Sequence, residues 1–156
     1  MKQSIGVHCY DFDDYTVGEG FRTATRTLTE TDVVMFATLT GDTNPLHMDA
    51  EYARKGIYGK TLCHGLMIVS YAAGLINKVG YVDGSTIALR QMEWQFRLPV
   101  FPGDTIYVYV AIKGKRKLTA KEGIVNAEIN IFNQRDEICV SGEWKMIVDL
   151  HPNVEE

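Results

Sequence analysis

Residues 64–77 constrain the fold more than any other stretch, because this segment has hardly any polar face. Its apolar residues recur at every position around a helix, which predicts a helix that is buried all round. The apolar run is interrupted by Ser70 and Gly74 and is much shorter than the roughly 20 residues needed to cross a bilayer. The segment therefore predicts a core helix that the rest of the protein must cover.

After Gly84 the sequence changes to the pattern of β-strands separated by polar turns. Extended runs rich in apolar and β-branched residues cover residues 85–101, 105–112, 124–132 and 138–148. An alternating run over residues 21–28 predicts an earlier strand. Because the late turns are short, the late strands are expected to be neighbours and antiparallel. The pattern predicts an α+β fold in which a five-stranded antiparallel sheet wraps around the buried helix.

Two more helices are predicted before the apolar segment. Thr29 or Thr31 can cap a helix that ends at Gly41, and Asp32 adds a negative charge to its first turn. A short helix is expected over residues 50–55. Residues 1–14 lack periodicity and predict an irregular arm that docks on the fold. With 156 residues and 46% hydrophobic content, the chain 1–156 is expected to form a single domain.

Charge and cysteine content narrow the possible functions. The net charge of −4, with no basic run longer than residues 115–117, argues against nucleic acid and anionic membranes as partners. The first ten residues lack the pattern of an export signal. The three cysteines form no Cys-x-x-Cys motif, and Cys9, Cys63 and Cys139 are expected to be free thiols in a reducing compartment. These features predict a soluble, cytoplasmic protein.

A polar loop precedes the apolar helix and carries an acid and an imidazole, Asp42 and His47, five positions apart. Such a pair does not share a helix face, but a loop turned by the intervening Asn-Pro can aim both side chains at one water molecule. Proton transfer to and from water is the task of a general acid and base. This loop is therefore the expected site of chemistry.

Three motifs carry a family resemblance: GDTNPLHMD at residues 41–49, His64-Gly65 at the start of the apolar helix, and LPVFPGD at residues 98–104. Together they resemble the MaoC-like, R-specific enoyl-CoA hydratases of the hot-dog fold, over residues 15–148. The resemblance implies a single hot-dog subunit that forms a homodimer or a higher oligomer. It also implies reversible hydration of trans-2-enoyl thioesters of coenzyme A or acyl carrier protein, with an R-3-hydroxyacyl product. No cofactor is expected.

The resemblance further implies roles for individual residues. Residues that match Asp42 and His47 hold and activate the water, the residue that matches Asn44 helps to orient it, and a serine that matches Ser70 lies in the supporting network. Gly65 matches the residue whose backbone N–H polarises the thioester carbonyl. An N–H in the first turn of a helix has no intrahelical partner and lies at the positive end of the helix dipole. Without a side chain, the glycine also lets a substrate approach.

Simpler structural roles compete for the same residues. Asp42 and Asn44 could form an Asx turn, and an isolated His47 would more often be a hydrogen-bonded structural residue. Their spacing from the His-Gly pair favours the catalytic interpretation. Ser70 could bond back to the carbonyl four residues earlier. His64 is expected mainly to orient the helix start, with a smaller part in substrate binding.

Other polar residues have weaker functional signals. Cys63 is expected to be a small buried thiol rather than half of a Cys/His pair. Tyr107 and Tyr109 are expected to share one face of the sheet. The candidates for contact with substrate phosphates are Arg54, Lys55, Arg90 and Arg97.

Two other functions fit parts of the pattern. His47, Asp49 and His64 could form a two-His-one-carboxylate metal site, but ligation would leave the Asn-Pro turn unexplained, and no metal is expected. A hot-dog thioesterase or a non-catalytic acyl-thioester-binding protein would use the same helix start. The Asp/His loop suits hydration better than hydrolysis.

Overall fold

The computed structural model describes residues 10–80 and 84–150. Its elements in chain order are β1 (Gly20–Arg22), β2 (Arg26–Thr27), α1 (Glu30–Thr40), α2 (Pro45–Met48), α3 (Ala50–Arg54), α4 (Gly65–Asn77), β3 (Thr86–Phe96), β4 (Thr105–Lys117), β5 (Glu122–Phe132) and β6 (Ile138–Asp149). Within the described ranges, no helix is long and apolar enough to cross a membrane. Cys9 and residues 1–9 of the predicted arm lie outside the described residues, which begin at Tyr10.

The strands form one antiparallel sheet in the order β1-β4-β5-β6-β3, and β2 also pairs with β4. The predicted strand over residues 21–28 is divided into β1 and β2. Between them the Thr23 hydroxyl accepts a hydrogen bond from the Val108 N–H (3.0 Å), so a side chain replaces the backbone acceptor there. Counted as one interrupted strand, β1 and β2 complete the predicted five-stranded sheet.

The prediction that all the late strands are sequential neighbours is wrong for β3 and β4. β3 pairs with β6, with Phe96 opposite Val140, and forms an edge of the sheet. The connection to β4 contains two prolines, which cannot donate to a strand ladder. Within it the Val100 carbonyl accepts a hydrogen bond from the Cys63 N–H (2.9 Å), just before α4. The connection therefore passes the start of α4 instead of forming a tight hairpin.

α4 supplies the centre of the core, as predicted, and packs against the inner face of the sheet. Its buried residues are Met67, Ile68, Val69, Ala72, Leu75 and Ile76. The expectation that this helix is buried all round is wrong, because Leu66 is 67% exposed. Ser70 and Gly74, one and two turns further along the same face, are exposed as well. A single subunit therefore leaves one face of its central helix uncovered.

A buried carboxylate fixes α1 relative to α4. Thr29 caps α1 as predicted, and Asp32 completes a capping box with it. Asp32 also accepts hydrogen bonds from Arg26 (2.9 Å) and from Tyr71 on α4 (2.7 Å). Burial raises the pKa of Asp32, but the hydrogen bonds outweigh burial and lower it to about 2. α1 then ends at Gly41 in the left-handed conformation.

The uncovered face of α4 and the outer side of α1 enclose a largely apolar groove of about 610 Å³. We call it the α1–α4 groove. Its lining residues are Val34, Met35, Phe36, Thr38, Leu39, Met67, Ser70 and Tyr71. The exposed apolar side chains of α1, namely Val34, Met35 and Leu39, therefore line this groove and do not belong to the core.

Candidate active site

His47 lies in α2, a one-turn helix where a continuing loop was expected. The Asn44 side chain caps it by accepting a hydrogen bond from the Leu46 N–H (3.0 Å), and Pro45 occupies the first helical position. Asn followed by Pro is a helix-start signal, but four residues are too few to show apolar periodicity. The Asp42 carboxylate accepts a longer bond from the Asn44 N–H (3.4 Å), as an Asx turn does. Both residues therefore have the local structural roles considered above.

The His47 ring is held in one tautomer. Its Nδ1 lies 2.8 Å from the backbone carbonyl oxygen of Leu62. Because a carbonyl only accepts, Nδ1 carries the proton and Nε2 of the neutral ring keeps a free lone pair. His47 is half-buried and lines a pocket of about 190 Å³. The hydrogen bond to Leu62 thus leaves Nε2 as a base.

His64 lies against the His47 ring and is only 2% exposed. Its Nε2 donates a hydrogen bond to the backbone carbonyl of Asp42 (2.9 Å). Its ring stacks on that of His47, with centroids 3.9 Å apart and planes 30° apart. The side chain makes no capping bond to α4. His64 therefore orients the Asp42 turn and the His47 ring, whereas the sequence predicted that it orients the helix start.

Asp42, His47 and His64 offer ligand-type atoms that lie within 4.8 Å of one another. Asp49, the carboxylate of the metal hypothesis, instead caps α3 by accepting a hydrogen bond from the Tyr52 N–H (2.9 Å). Imidazole lone pairs lie in the ring plane, and two stacked rings do not direct theirs at one point. The cluster therefore suits proton transfer better than metal coordination.

Gly65, the first residue of α4, follows His64 directly and contacts an aromatic ring. A Cβ built on Gly65 would lie 2.8 Å from Cε1 of Phe96, the last residue of β3. Phe96 therefore occupies the space that the missing side chain leaves on this side of Gly65. The sequence had suggested that a substrate would enter this space. The Gly65 N–H belongs to the first helical turn, whose N–H groups have no intrahelical acceptor.

Ser70 lies apart from this cluster, on the exposed face of α4. Its hydroxyl donates to the Leu66 carbonyl four residues earlier (2.8 Å), as the simpler interpretation predicted. It lines the α1–α4 groove, while His47 lines the smaller pocket. Val34 lines both cavities, so the groove and the pocket are adjacent.

Of the arginine candidates, Arg54 ends α3 and pairs with Glu51 (2.7 Å), whereas Arg90 and Arg97 lie on or next to β3. Arg90 is exposed on this edge strand. Arg97 donates hydrogen bonds to Ser141 (2.7 Å) and Gln95 (2.9 Å). It lines a groove of about 740 Å³ together with three carboxylates, those of Glu93, Glu128 and Glu143. These carboxylates would repel a substrate phosphate, which argues against Arg97 as a phosphate contact.

Cys63, Cys139 and Tyr107, which were predicted to have structural roles, lie in the core or on the sheet. Burial raises the pKa of the Cys63 thiol to about 12, with Asp104 and Asp32 contributing further, so the thiol stays protonated. Cys139 is likewise buried and free. Tyr107 stacks on Phe132 with centroids 5.0 Å apart, as expected for a residue of the sheet surface.

Several contributors to the site carry no signal in the sequence motifs. The Leu62 carbonyl that orients His47 is a backbone group, which no residue type marks. Glu30 and Thr61 line the His47 pocket but come from the start of α1 and the segment before α4. Phe96 lies two residues before the LPVFPGD motif, and its position next to this motif is the one sign in the sequence that it could belong to the site.

Known proteins share both the sequence pattern and the fold. The family model described as MaoC like domain matches residues 13–131. Protein MaoC of Klebsiella aerogenes is 42% identical over 105 residues, covering 67% of this chain and 31% of that protein. An (R)-specific enoyl-CoA hydratase of Aeromonas caviae is 30% identical over 112 residues, covering 72% of this chain and 80% of that enzyme.

Among solved structures, a monoamine oxidase regulatory protein of Archaeoglobus fulgidus superposes with a TM-score of 0.87 at 33% identity. The superposition covers 92% of this chain and 97% of that one. A Mycobacterium tuberculosis protein described as having a double hotdog fold superposes with a TM-score of 0.84 at 18% identity, covering 97% of this chain and 48% of that one, which confirms the hot-dog fold that the resemblance implied.

Proposed function

This chain belongs to the MaoC-like domain family, and we propose that it is an R-specific enoyl-CoA hydratase, which also dehydrates R-3-hydroxyacyl thioesters. The observation that carries the proposal is the hydrogen bond from His47 to the Leu62 carbonyl. In the neutral ring this bond leaves the lone pair on Nε2, and His47 belongs to the same cluster as the Asp42 carboxylate. A base and an acceptor within one cluster are the groups that activation of a water molecule requires.

In the proposed reaction, His47 Nε2 takes one proton from a water molecule whose other hydrogen is held by Asp42. The water oxygen bonds to C3 of the substrate, and the electron pair of the double bond moves through C2 onto the thioester oxygen. The Gly65 N–H donates to this oxygen as its negative charge grows. The imidazolium then returns the proton to C2, which completes the addition of water.

Asn44 and Ser70 have supporting parts in this proposal. The oxygen of the Asn44 side chain caps α2, which leaves its NH₂ group to orient the water. Ser70 remains a predicted member of the supporting network, and it lines the α1–α4 groove. The acyl carrier is coenzyme A or acyl carrier protein. We further propose that the chain acts as one domain, in the cytoplasm and without a cofactor.

Hydration of trans-2-butenoyl-CoA by the purified protein tests the proposal. We expect loss of the enoyl absorbance and formation of R-3-hydroxybutyryl-CoA by syn addition. The reason is that Asp42 and His47 act from one side of the double bond, so C3 and C2 are approached from the same face. Chiral analysis of the product reports the configuration. An S product, or release of free coenzyme A with the double bond intact, would contradict the proposal, and the latter would favour a thioesterase.

We also propose that the active form is a homodimer or a higher oligomer. β3 is an edge strand of 11 residues, and Leu89 and Met92 on its inner face are exposed. The open face of α4 adds Leu66 to this uncovered apolar surface. A second copy related by a two-fold axis would cover the strand edge and the side chains together. Light scattering at micromolar concentration should therefore give at least twice the subunit mass. An active monomer would contradict this arrangement.

A further inference from the structure

The ring of Phe96 lies on the start of the central helix. Three of its carbons are 2.8 to 3.2 Å from the position that a Cβ of Gly65 would take, so the ring rests on the glycine backbone. Even so, the residue is 54% exposed. A core residue would be enclosed, whereas Phe96 has one side on the helix start and the other open to a ligand or a second subunit.

The position of this ring matters because the Gly65 N–H is the proposed donor to the thioester oxygen. Water beside such a donor competes with the substrate and screens the charge that develops in the transition state. An aromatic ring next to the donor excludes water on one side and limits the orientations that a flat thioester group can take. The ring is thus placed where it can shape the binding of the reacting carbonyl.

We propose that Phe96 is a positioning residue, which holds the substrate thioester in line with the Gly65 N–H. The inference rests on the proposed hydratase function and names the residue that completes its carbonyl site. It also gives a second reason for glycine at position 65, because any side chain there would displace the ring.

A purely structural role for Phe96 would have a different signature. If the ring only covered the start of α4, its removal would lower the melting temperature and leave the kinetics of the folded protein unchanged. If it orients the thioester, kcat and kcat/KM fall together while KM changes little, because the contact acts mainly in the transition state.

The test compares Phe96→Ala and Phe96→Leu with the control Phe132→Ala in the full-length protein. Phe132 is also a phenylalanine at the end of a strand, but it stacks on Tyr107 of the sheet surface. For trans-2-butenoyl-CoA hydration, we expect Phe96→Ala to lower kcat about 10-fold with KM within about two-fold. Phe96→Leu keeps an apolar wall and should lose about three-fold. Phe132→Ala should match the wild type.

Combining substitutions tests whether the ring and the glycine act as one unit. Gly65→Ala displaces the ring, so Gly65→Ala with Phe96→Ala should be little slower than the slower single variant. Full multiplication of the two losses would overturn the inference, as would a wild-type kcat in Phe96→Ala. Light scattering checks that each variant keeps the wild-type mass, and Phe96→Leu carries the test if Phe96→Ala does not fold. A wild-type protein without hydratase activity would overturn the proposed function and this inference together.

Discussion

Asp42→Asn and His47→Ala are each expected to lower kcat for enoyl-CoA hydration by at least about two orders of magnitude. The free Nε2 of His47 and the Asp42 carboxylate belong to one cluster, and in the proposed step both hold the same water molecule. Losing either partner leaves the other unable to activate that water. The double variant should therefore be little slower than the slower single variant.

Asp49→Asn is the matched control for this experiment. Asp49 is a carboxylate two positions from His47, but it caps α3, and asparagine caps a helix equally well. Its variant should keep the wild-type rate. Losses that multiply in the double variant would contradict a shared proton-transfer step. A large loss in Asp49→Asn would instead revive the two-His-one-carboxylate hypothesis.

The second large effect is expected at His64, where two substitutions separate its two contacts. His64→Phe keeps a ring to stack on His47 but removes the donor to the Asp42 carbonyl, and we expect kcat to fall about 100-fold. His64→Gln keeps an N–H donor near the position of Nε2 and removes the ring, and we expect a loss of about 10-fold. Both follow from displacement of the reacting groups, so KM should change much less than kcat.

A pH profile distinguishes positioning by His64 from proton transfer by it. His64 Nε2 is engaged by the Asp42 carbonyl, and the residue is only 2% exposed. The pH dependence of kcat/KM in His64→Gln should therefore keep the wild-type shape at a lower level. Full activity of His64→Phe would show that the hydrogen bond to Asp42 is not needed.

The elements of the fold were largely predictable because their signals are local. The capping residue Thr29, the terminating Gly41 and the apolar run after His64 each mark a boundary where the structure has one. The pairing of β3 with β6 was not predictable, because no local pattern specifies a partner about 50 residues away. Apolar periodicity also did not reveal that Leu66 is exposed in the single subunit. Periodicity indicates which residues favour burial but not whether they are buried within the same chain.

The spacing of Asp42, His47 and His64-Gly65 predicted where the candidate site lies, and ligand-type atoms of Asp42, His47 and His64 lie within 4.8 Å of one another. Ser70, predicted for the same site, lines the α1–α4 groove. The arrangement of atoms was not predictable. Which nitrogen of His47 is free depends on the Leu62 carbonyl, and that backbone group is placed by the chain before α4. Likewise, the space beside Gly65 is filled by a side chain from the far end of β3. Such contacts depend on tertiary packing and leave no motif.

The unequal edges of the sheet limit how far strands can be added to it. One edge consists of β1 with three residues and β2 with two, separated by the interruption at Thr23. The other is the 11-residue strand β3. Growth of a fibril needs a free template at both ends of each unit, because every added chain must present a new edge. In the proposed dimer, pairing through β3 would use the one long edge among the described strands, and the interrupted edge offers too few consecutive backbone groups to continue. Assembly by strand addition would therefore stop at the dimer.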